Sequence, residues 1–242
     1  TQVVSSAQDI PAVARQAYAD NTKTSRNVLR WEEPPRNVLI IKKPQDEATN
    51  AALVNVAQWL HETFPEINII LEADVAHSFL DTLPFTYIIP ENTMDEYTRT
   101  VDFVITLGGD GTVLHVSSLF PQAMPPVISF SMGTLGFLLP FHIHHFREAL
   151  TRLICGQEIS LLLRMRLACS MHQSNGEPIA WHGKASTTYP VMNEVHVHRG
   201  RFPHLTSIDC YVDNEFLTNA VADGLIVGTP TGSTAYSLSA GG

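Results

Sequence analysis

Residues 101–112 read VDFVITLGGDGT. The apolar run Val101 to Leu107 is short enough for a strand buried on both faces. It ends in Gly108-Gly109-Asp110-Gly111-Thr112, and the apolar segment Val113 to Phe120 continues as a helix. Glycines at such a turn let the backbone approach another group closely, and the free N–H groups of the following helix favour an anion there. A buried strand passed to a helix through a glycine turn predicts a parallel sheet covered by helices.

Working outward, the same alternation recurs. Val38 to Ile41, Ile67 to Leu71 and Val127 to Phe130 are further short apolar runs. Leu53, Val56, Ala57, Leu60 and Phe64 form one helical stripe stopped by Pro65, and Phe146, Ala149, Leu150, Leu153 and Ile154 form another stopped by Gly156. After Gly156 the period falls to two: Leu161, Leu163, Met165, Leu167, Cys169 and Met171 alternate with other residues, as do Val195 with Val197 and Ile208 with Cys210 and Val212, with Asp213 and Asn214 as turn residues. The expectation is an α/β domain over 37–156 with a parallel sheet, followed by an all-β, sandwich-like domain over 157–242. Residues 1–36, without sustained periodicity and closed by Pro34 and Pro35, are expected to be a flexible extension.

Composition excludes several classes. No apolar run among the 242 residues approaches the roughly 20 that a transmembrane helix needs. A formal net charge of -9 provides no global basic field for nucleic acid. The three cysteines, Cys155, Cys169 and Cys210, lie far apart and suggest a reducing, intracellular setting rather than a disulfide framework. Arg15, Arg26 and Arg30 fit a remnant of a mitochondrial presequence, but Asp9 and Asp20 oppose it, so matrix and cytoplasm both stay open. Because the chain starts at Thr1 and stops at Gly241-Gly242, a processed or truncated piece is expected.

Asp110 decides the chemistry of the first motif. A carboxylate repels phosphate, so at a phosphate turn it serves a different purpose, either accepting a proton from a sugar hydroxyl or holding Mg²⁺ against the phosphate. The plain alternative is a tight turn with Asp110 as helix cap. A dinucleotide fingerprint would need glycine where Leu114 stands, and a Walker loop would need a lysine that is absent. Farther on, residues 223–236 read DGLIVGTPTGSTAY, a strand delivering hydroxyl residues among glycines and then an aromatic, suited to a base edge and a sugar. A serine- and threonine-rich helix cap is the alternative.

The order of these stretches, together with Gly133-Thr134-Leu135-Gly136-Phe137, Asn193-Glu194 and the terminal Ser239-Ala240-Gly241-Gly242, resembles the four signatures of the NAD kinase family over residues 37–242. The wording around the first motif is similar to fungal members, including the mitochondrial NADH kinase branch. The resemblance implies transfer of the γ-phosphate of ATP, with Mg²⁺, to the 2′-hydroxyl of NAD or NADH. It implies Asp110 as general base, with Gly108, Gly109, Gly111 and Thr112 around phosphate. It places Asn193 and Glu194 on the adenosine ribose and Phe137 and Thr234 at the adenine, with Thr231 also on the dinucleotide. Asp223, Ala235, Tyr236 and Ser239 would lie toward the nicotinamide, partly across a homo-oligomer contact.

Two departures stand out. Fungal relatives carry Asp-Arg-Gly where this chain has His198-Arg199-Gly200, followed by Arg201-Phe202, and the family's sheet continues past the final Gly-Gly. His142, His144 and His145, and His196 with His198, lack acid or Cys partners at zinc-like spacing, so no protein-held metal is expected. Arg164 and Arg166 share a strand face, as solvated residues or as a phosphate contact. Trp31, Trp59 and Trp181 read as packing residues. Two rival functions share parts of the pattern: a lipid kinase of the diacylglycerol or sphingosine type has a similar glycine turn, and a silent dinucleotide-binding module would keep the remaining motifs.

Overall fold

The computed structural model describes residues 5–6, 16–21, 26–89, 94–156, 158–179 and 188–242. The chain divides into two compact units, Thr1–Leu163 and Arg164–Gly242.

In the first unit the strands are β1 (Ser5–Ser6), β2 (Gln16–Asn21), β3 (Arg26–Trp31), β4 (Asn37–Lys42), β5 (Asn68–Leu71), β6 (Tyr87–Ile88), β7 (Phe103–Gly108), β8 (Val127–Ser131), β9 (Phe141–His142) and β10 (Ile159–Leu161). The helices are α1 (Glu47–Thr63), α2 (Ala73–Ser78), α3 (Met94–Thr100), α4 (Asp110–Leu119) and α5 (Phe146–Ile154). Seven strands make one parallel sheet in the order β1-β6-β5-β4-β7-β8-β9. From β4 the chain builds outward through β5 and β6, then returns to lay β7 on the other side of β4. The loops leaving the carboxyl ends of β4 and β7 therefore diverge, and a crevice opens at such a switch point.

Alternation along the strands sorts the core into two layers. Val38, Ile40, Phe103, Ile105 and Leu107 face α1 and α5, meeting Leu53, Val56, Leu60, Phe146, Leu150 and Leu153. Leu39, Ile41 and Val104 face the other way, toward Val116 of α4 and Phe120 at its end. Both predicted helical stripes thus pack on the core as expected, with Phe64 and Ala149 half-buried at its margin, and α1 closes at Phe64, just before Pro65. Its start is fixed by Asp46, whose carboxylate accepts from Thr49 N–H at 3.0 Å and from Lys43 Nζ at 3.0 Å.

Residues 26–31, expected within a flexible extension, instead form β3, paired antiparallel with β2 and β10. Leu29 is 1% exposed and joins the core, and Trp31 donates its indole N–H to the Leu153 carbonyl at 2.8 Å while its ring lies 6.3 Å from Phe103. Two apolar residues between arginine and asparagine were too little periodicity to show this. Pairing of β10 with β3 also carries the first unit through Leu163, past the expected boundary at 156.

The second unit holds β11 (Leu167–Ser170), β12 (Thr188–Val191), β13 (Glu194–His198), β14 (Thr206–Val212), β15 (Glu215–Ala222), β16 (Gly224–Gly228) and the short α6 (Tyr236–Ser239). It is β-rich as expected, and its ladders are antiparallel. Its described strands make three separate two-stranded ladders, β11-β12, β13-β16 and β14-β15, rather than the two facing sheets of a sandwich. The long alternating strand predicted over 161–171 is also broken: residues 162–166 lie outside any strand, and Leu162 and Leu163 are 74% and 66% exposed. Alternation alone could not reveal that Leu161 and Leu167 belong to different ladders. Asp213 and Asn214 turn β14 into β15 with φ of 51° and 67°, the left-handed geometry of a tight hairpin.

The amino ends of the central strands are tied by buried polar groups. The Asp102 carboxylate, fully buried, accepts from the backbone N–H of Arg36 at 2.7 Å and of Asn37 at 2.8 Å. Asn37 Nδ2 donates to the Thr100 carbonyl, and Asn68 Nδ2 donates to Asn37 Oδ1. Replacing Asp102 by Ala strands two backbone donors, and a loss of about 3 kcal/mol is expected in urea unfolding, since each buried unpaired group costs about 1–3 kcal/mol.

Candidate active site

Strand β7 delivers its last residue, Gly108, to the switch point, and α4 begins two residues later. A Cβ at Gly108 would collide with Thr112 Oγ1 and stand 3.0 Å from Lys43 Cβ, so this glycine is required by close packing. Gly109 and Gly111 differ: nothing lies within 4 Å of where their Cβ would be. Their open faces leave the backbone accessible to a ligand at the start of α4, where N–H groups lack intrahelical partners.

These two glycines, with Thr112 and His115, form one wall of a cleft of about 1010 Å³. Opposite walls come from the loop after β4, with Lys42, Lys43, Pro44 and Gln45, and from the end of β5 and α2, with Glu72, Asp74 and Phe79. Gln45 has a φ of 52°, a left-handed conformation that non-glycine residues adopt at an energetic cost and that clusters at functional loops. His115 Nε2 lies 2.7 Å from Glu72 Oε1, bridging α4 to the strand end beside it. That hydrogen bond, more than the opposing burial, raises the His115 pKa above its ordinary value of 6.5. Lys42, Lys43, Glu72 and His115 escaped the sequence reading, because a Lys-Lys pair after a strand or one acid at a strand end is a common surface pattern until topology brings them together.

Asp110 does not line this cleft. As the first residue of α4 it turns its carboxylate to the loop after β8, where Oδ1 accepts from Leu138 N–H at 3.0 Å and Oδ2 from Phe137 N–H at 3.3 Å. It is not the helix cap that the plain reading offered; Gly109 holds that position. Phe137, whose N–H makes the second of these bonds, is 74% exposed. The first motif and the Gly133–Phe137 stretch thus meet in one structural unit.

The remaining residues gather in the second unit. Asn193 and Glu194 open β13, which pairs with β16, so the 229–234 loop leaves β16 beside them. Thr229, 2% exposed, donates its N–H to the Asn193 carbonyl at 2.8 Å and its hydroxyl to the Met192 carbonyl, and accepts from Gly232 N–H at 3.0 Å. Gly232 packs so closely that a Cβ would stand 2.8 Å from Asn193 Cα. Thr229 is therefore the organising hydroxyl of this block, whereas sequence reading had singled out Thr231 and Thr234. Thr231 Oγ1 accepts from Arg164 Nη1 at 3.3 Å, and Glu194 Oε2 is a buried oxygen without a hydrogen-bond partner among the described residues.

Asp223 is held by Arg199, whose Nε reaches Asp223 Oδ1 at 2.6 Å. The rings of His196 and His198 stack at 4.9 Å over the side-chain-free Gly224, and the edge of Tyr236 meets His196 at 5.1 Å. Ala235 and Ser239 flank Tyr236 at the two ends of α6. His142 and His144 stack at 4.5 Å, and no group of three or more metal-ligating side chains is present among the described residues. Burial lowers the Arg166 pKa. Trp59 packs edge-on against Phe64 and Phe146, as a packing residue should; Trp181 lies outside the described residues.

A parallel sheet that opens at its switch point onto a glycine turn, a helix start and two lysines is the build of an α/β protein that handles phosphoryl groups. Comparison with known proteins gives the family. The ATP-NAD kinase N-terminal domain matches residues 38–159 and the ATP-NAD kinase C-terminal domain residues 192–242. The mitochondrial NADH kinase pos5 of Schizosaccharomyces pombe is 43% identical over 221 residues, covering 91% of this chain and 54% of its own length. The mitochondrial NADH kinase POS5 of Saccharomyces cerevisiae is 41% identical over 226 residues, covering 88% and 52%. The crystal structure of yeast NADH kinase complexed with NADH superposes with a TM-score of 0.87 at 34% identity, covering 99% of this chain and 71% of that one. The chain belongs to the ATP-NAD kinase family. It spans about half the length of the curated relatives it matches.

The His115–Glu72 pair yields a direct prediction. In an NMR titration His115 is expected to have a midpoint above 6.5, and Glu72→Gln to bring it down. Because the folded pKa is the raised one, the pair's contribution to stability is complete below 6.5 and is lost as pH rises through the folded midpoint.

Proposed function

We propose that the full natural chain transfers the γ-phosphate of ATP to the 2′-hydroxyl of the adenosine ribose of NAD or NADH, forming NADP or NADPH. The observation that carries this reading is the turn at residues 108–112: it exposes backbone at Gly109 and Gly111 to a large cleft with two lysines on its wall, while fixing the Asp110 carboxylate through two N–H bonds. Asp110 takes the proton of the 2′-hydroxyl as that oxygen attacks the γ-phosphorus and ADP departs. Gly108, Gly109, Gly111 and Thr112 form the phosphate cradle, with Lys42 and Lys43 offsetting its charge. Asn193 and Glu194 hold the ribose, Phe137 and Thr234 the adenine, and Thr231, Asp223, Ala235, Tyr236 and Ser239 the rest of the dinucleotide.

Mg²⁺ on the triphosphate fits this lining, because that ion needs only one or two carboxylates beside the phosphates, and Glu72 and Asp74 face the cleft. When bound it neutralises charge on the transferring group. The names of the fungal relatives support a mitochondrial location. A homo-oligomer is part of the proposal, supported by the exposed apolar surface of β14 and β15, where Phe216 and Leu217 are 59% and 64% exposed. The lipid-kinase reading is disfavoured by the Thr229-centred loop on Asn193, which a lipid acceptor does not need. The silent-binder reading is disfavoured by a carboxylate held beside a phosphate turn. No helix of the described residues is long and apolar enough to cross a membrane.

Incubated with ATP, Mg²⁺ and NAD or NADH, the full natural chain is expected to yield NADP or NADPH, and Asp110→Asn to lower the rate about a hundredfold or more, as removal of a general base does. Absence of product from both dinucleotides by a folded enzyme would refute the assignment.

A further inference from the structure

We infer that Gly136 and the backbone N–H groups of Phe137 and Leu138 form a clamp that positions Asp110 for proton abstraction, so that Gly136 is a positioning residue of the reaction. This rests on the reading of Asp110 as the base.

Three observations carry it. The two carboxylate oxygens of Asp110 are taken by different donors, Oδ1 by Leu138 N–H and Oδ2 by Phe137 N–H, which fixes both the position and the rotation of the group. The carboxylate lies against Gly136 so closely that a Cβ there would collide with Oδ1 and stand 2.9 Å from the carboxyl carbon. Leu138 and Leu139 are buried, which anchors the loop, whereas Gly136 and Phe137 are exposed. Any side chain at residue 136 must therefore move either the anchored loop or the carboxylate, and the carboxylate, hanging from two rotatable bonds, is the softer of the two. Each N–H bond retains a lone pair on its oxygen, so the clamped carboxylate can still accept the proton. Misplacing a catalytic group by about 1 Å is enough to cost about a hundredfold in rate.

The test is a double-mutant cycle on the full natural chain: wild type, Gly136→Ala, Asp110→Ala and the double variant, each assayed for kcat and KM with NAD and NADH. Thermal unfolding and dinucleotide calorimetry accompany each protein. The expected result is a fall in kcat of about 30-fold or more for Gly136→Ala, in the range that loss of general-base catalysis produces. KM and dinucleotide affinity stay within about threefold of wild type. The double variant is then no slower than Asp110→Ala, because Gly136 acts only through the carboxylate. A Gly136→Ala enzyme with unchanged kcat overturns the clamp while leaving the base assignment intact. So does a loss that recurs at full size in the Asp110→Ala background, which marks a general packing role. Should Asp110→Ala itself retain wild-type activity, the base assignment fails and the clamp with it.

Discussion

The buried Asp102 carboxylate, just ahead of β7, accepts from the N–H groups of Arg36 and of Asn37, the first residue of β4, and sets the geometry on which the site depends. Parallel strands have no hairpin to fix their register, and an apolar ladder such as Val38-Leu39-Ile40-Ile41 against Phe103-Val104-Ile105 tolerates slippage by two residues with little change in which faces are buried. A charge that must be satisfied at one place removes that freedom, because a slipped register leaves it buried and unpaired. With Val38 opposite Phe103, Lys42 falls opposite Leu107, and Lys43 donates its N–H to the Leu107 carbonyl at 2.9 Å. The lysine loop and the glycine turn therefore face one another across the switch point as a consequence of hydrogen bonds made at the far ends of the same strands.

The two ends of the sheet are built on opposite terms. At the amino ends Asp102, Asn37, Asn68 and Thr100 satisfy one another. Toward the carboxyl ends the buried hydroxyls of Thr106 and Ser131 lack hydrogen-bond partners among the described residues, Gln45 adopts a left-handed conformation, and two glycines leave backbone open. Each of these features costs stability, and their concentration on one side is what a ligand-binding edge looks like physically. The apolar layers on either side of the sheet offset that cost, through residues such as Phe103, Phe120 and Phe130 that are fully buried.

Sequence patterning disclosed the parts of this arrangement that depend on local repetition. The helical stripes of α1 and α5, the buried runs of β4, β7 and β8, and the glycine turn each carry their signal within a dozen residues. What stayed hidden depends on pairing between distant segments. Nothing local distinguishes Val28 and Leu29 from a polar extension until Ile159 and Ser160 pair with them. The alternation from Leu161 to Met171 is genuine, yet it feeds two ladders in two compact units. The short α2, α3, β6 and β9 have too few residues for a period to show. At the site, motif glycines and Asp110 were legible because their types are unusual in a strand-to-helix turn. Lys43, Glu72 and His115 were not, since only the sheet order reveals that three ordinary surface residues share one cleft.

The long motif of residues 223–236 is dense in the sequence for a reason the second unit makes concrete. Thr229 satisfies three backbone groups with one residue: the Asn193 and Met192 carbonyls and the Gly232 N–H. Gly232 must lack a side chain because the Asn193 backbone fills that space. The spacing between Thr229 and Gly232 is thus set by closure of the loop onto the start of β13, where Asn193 and Glu194 stand. A loop pinned in this way gives up conformational freedom during folding rather than when a ligand arrives, which lowers the entropic cost of binding. Thr234, on the exposed side of the loop, is then carried by a rigid frame, and the Asn193-Glu194 pair and the hydroxyl loop act as a single surface despite lying more than thirty residues apart in the chain.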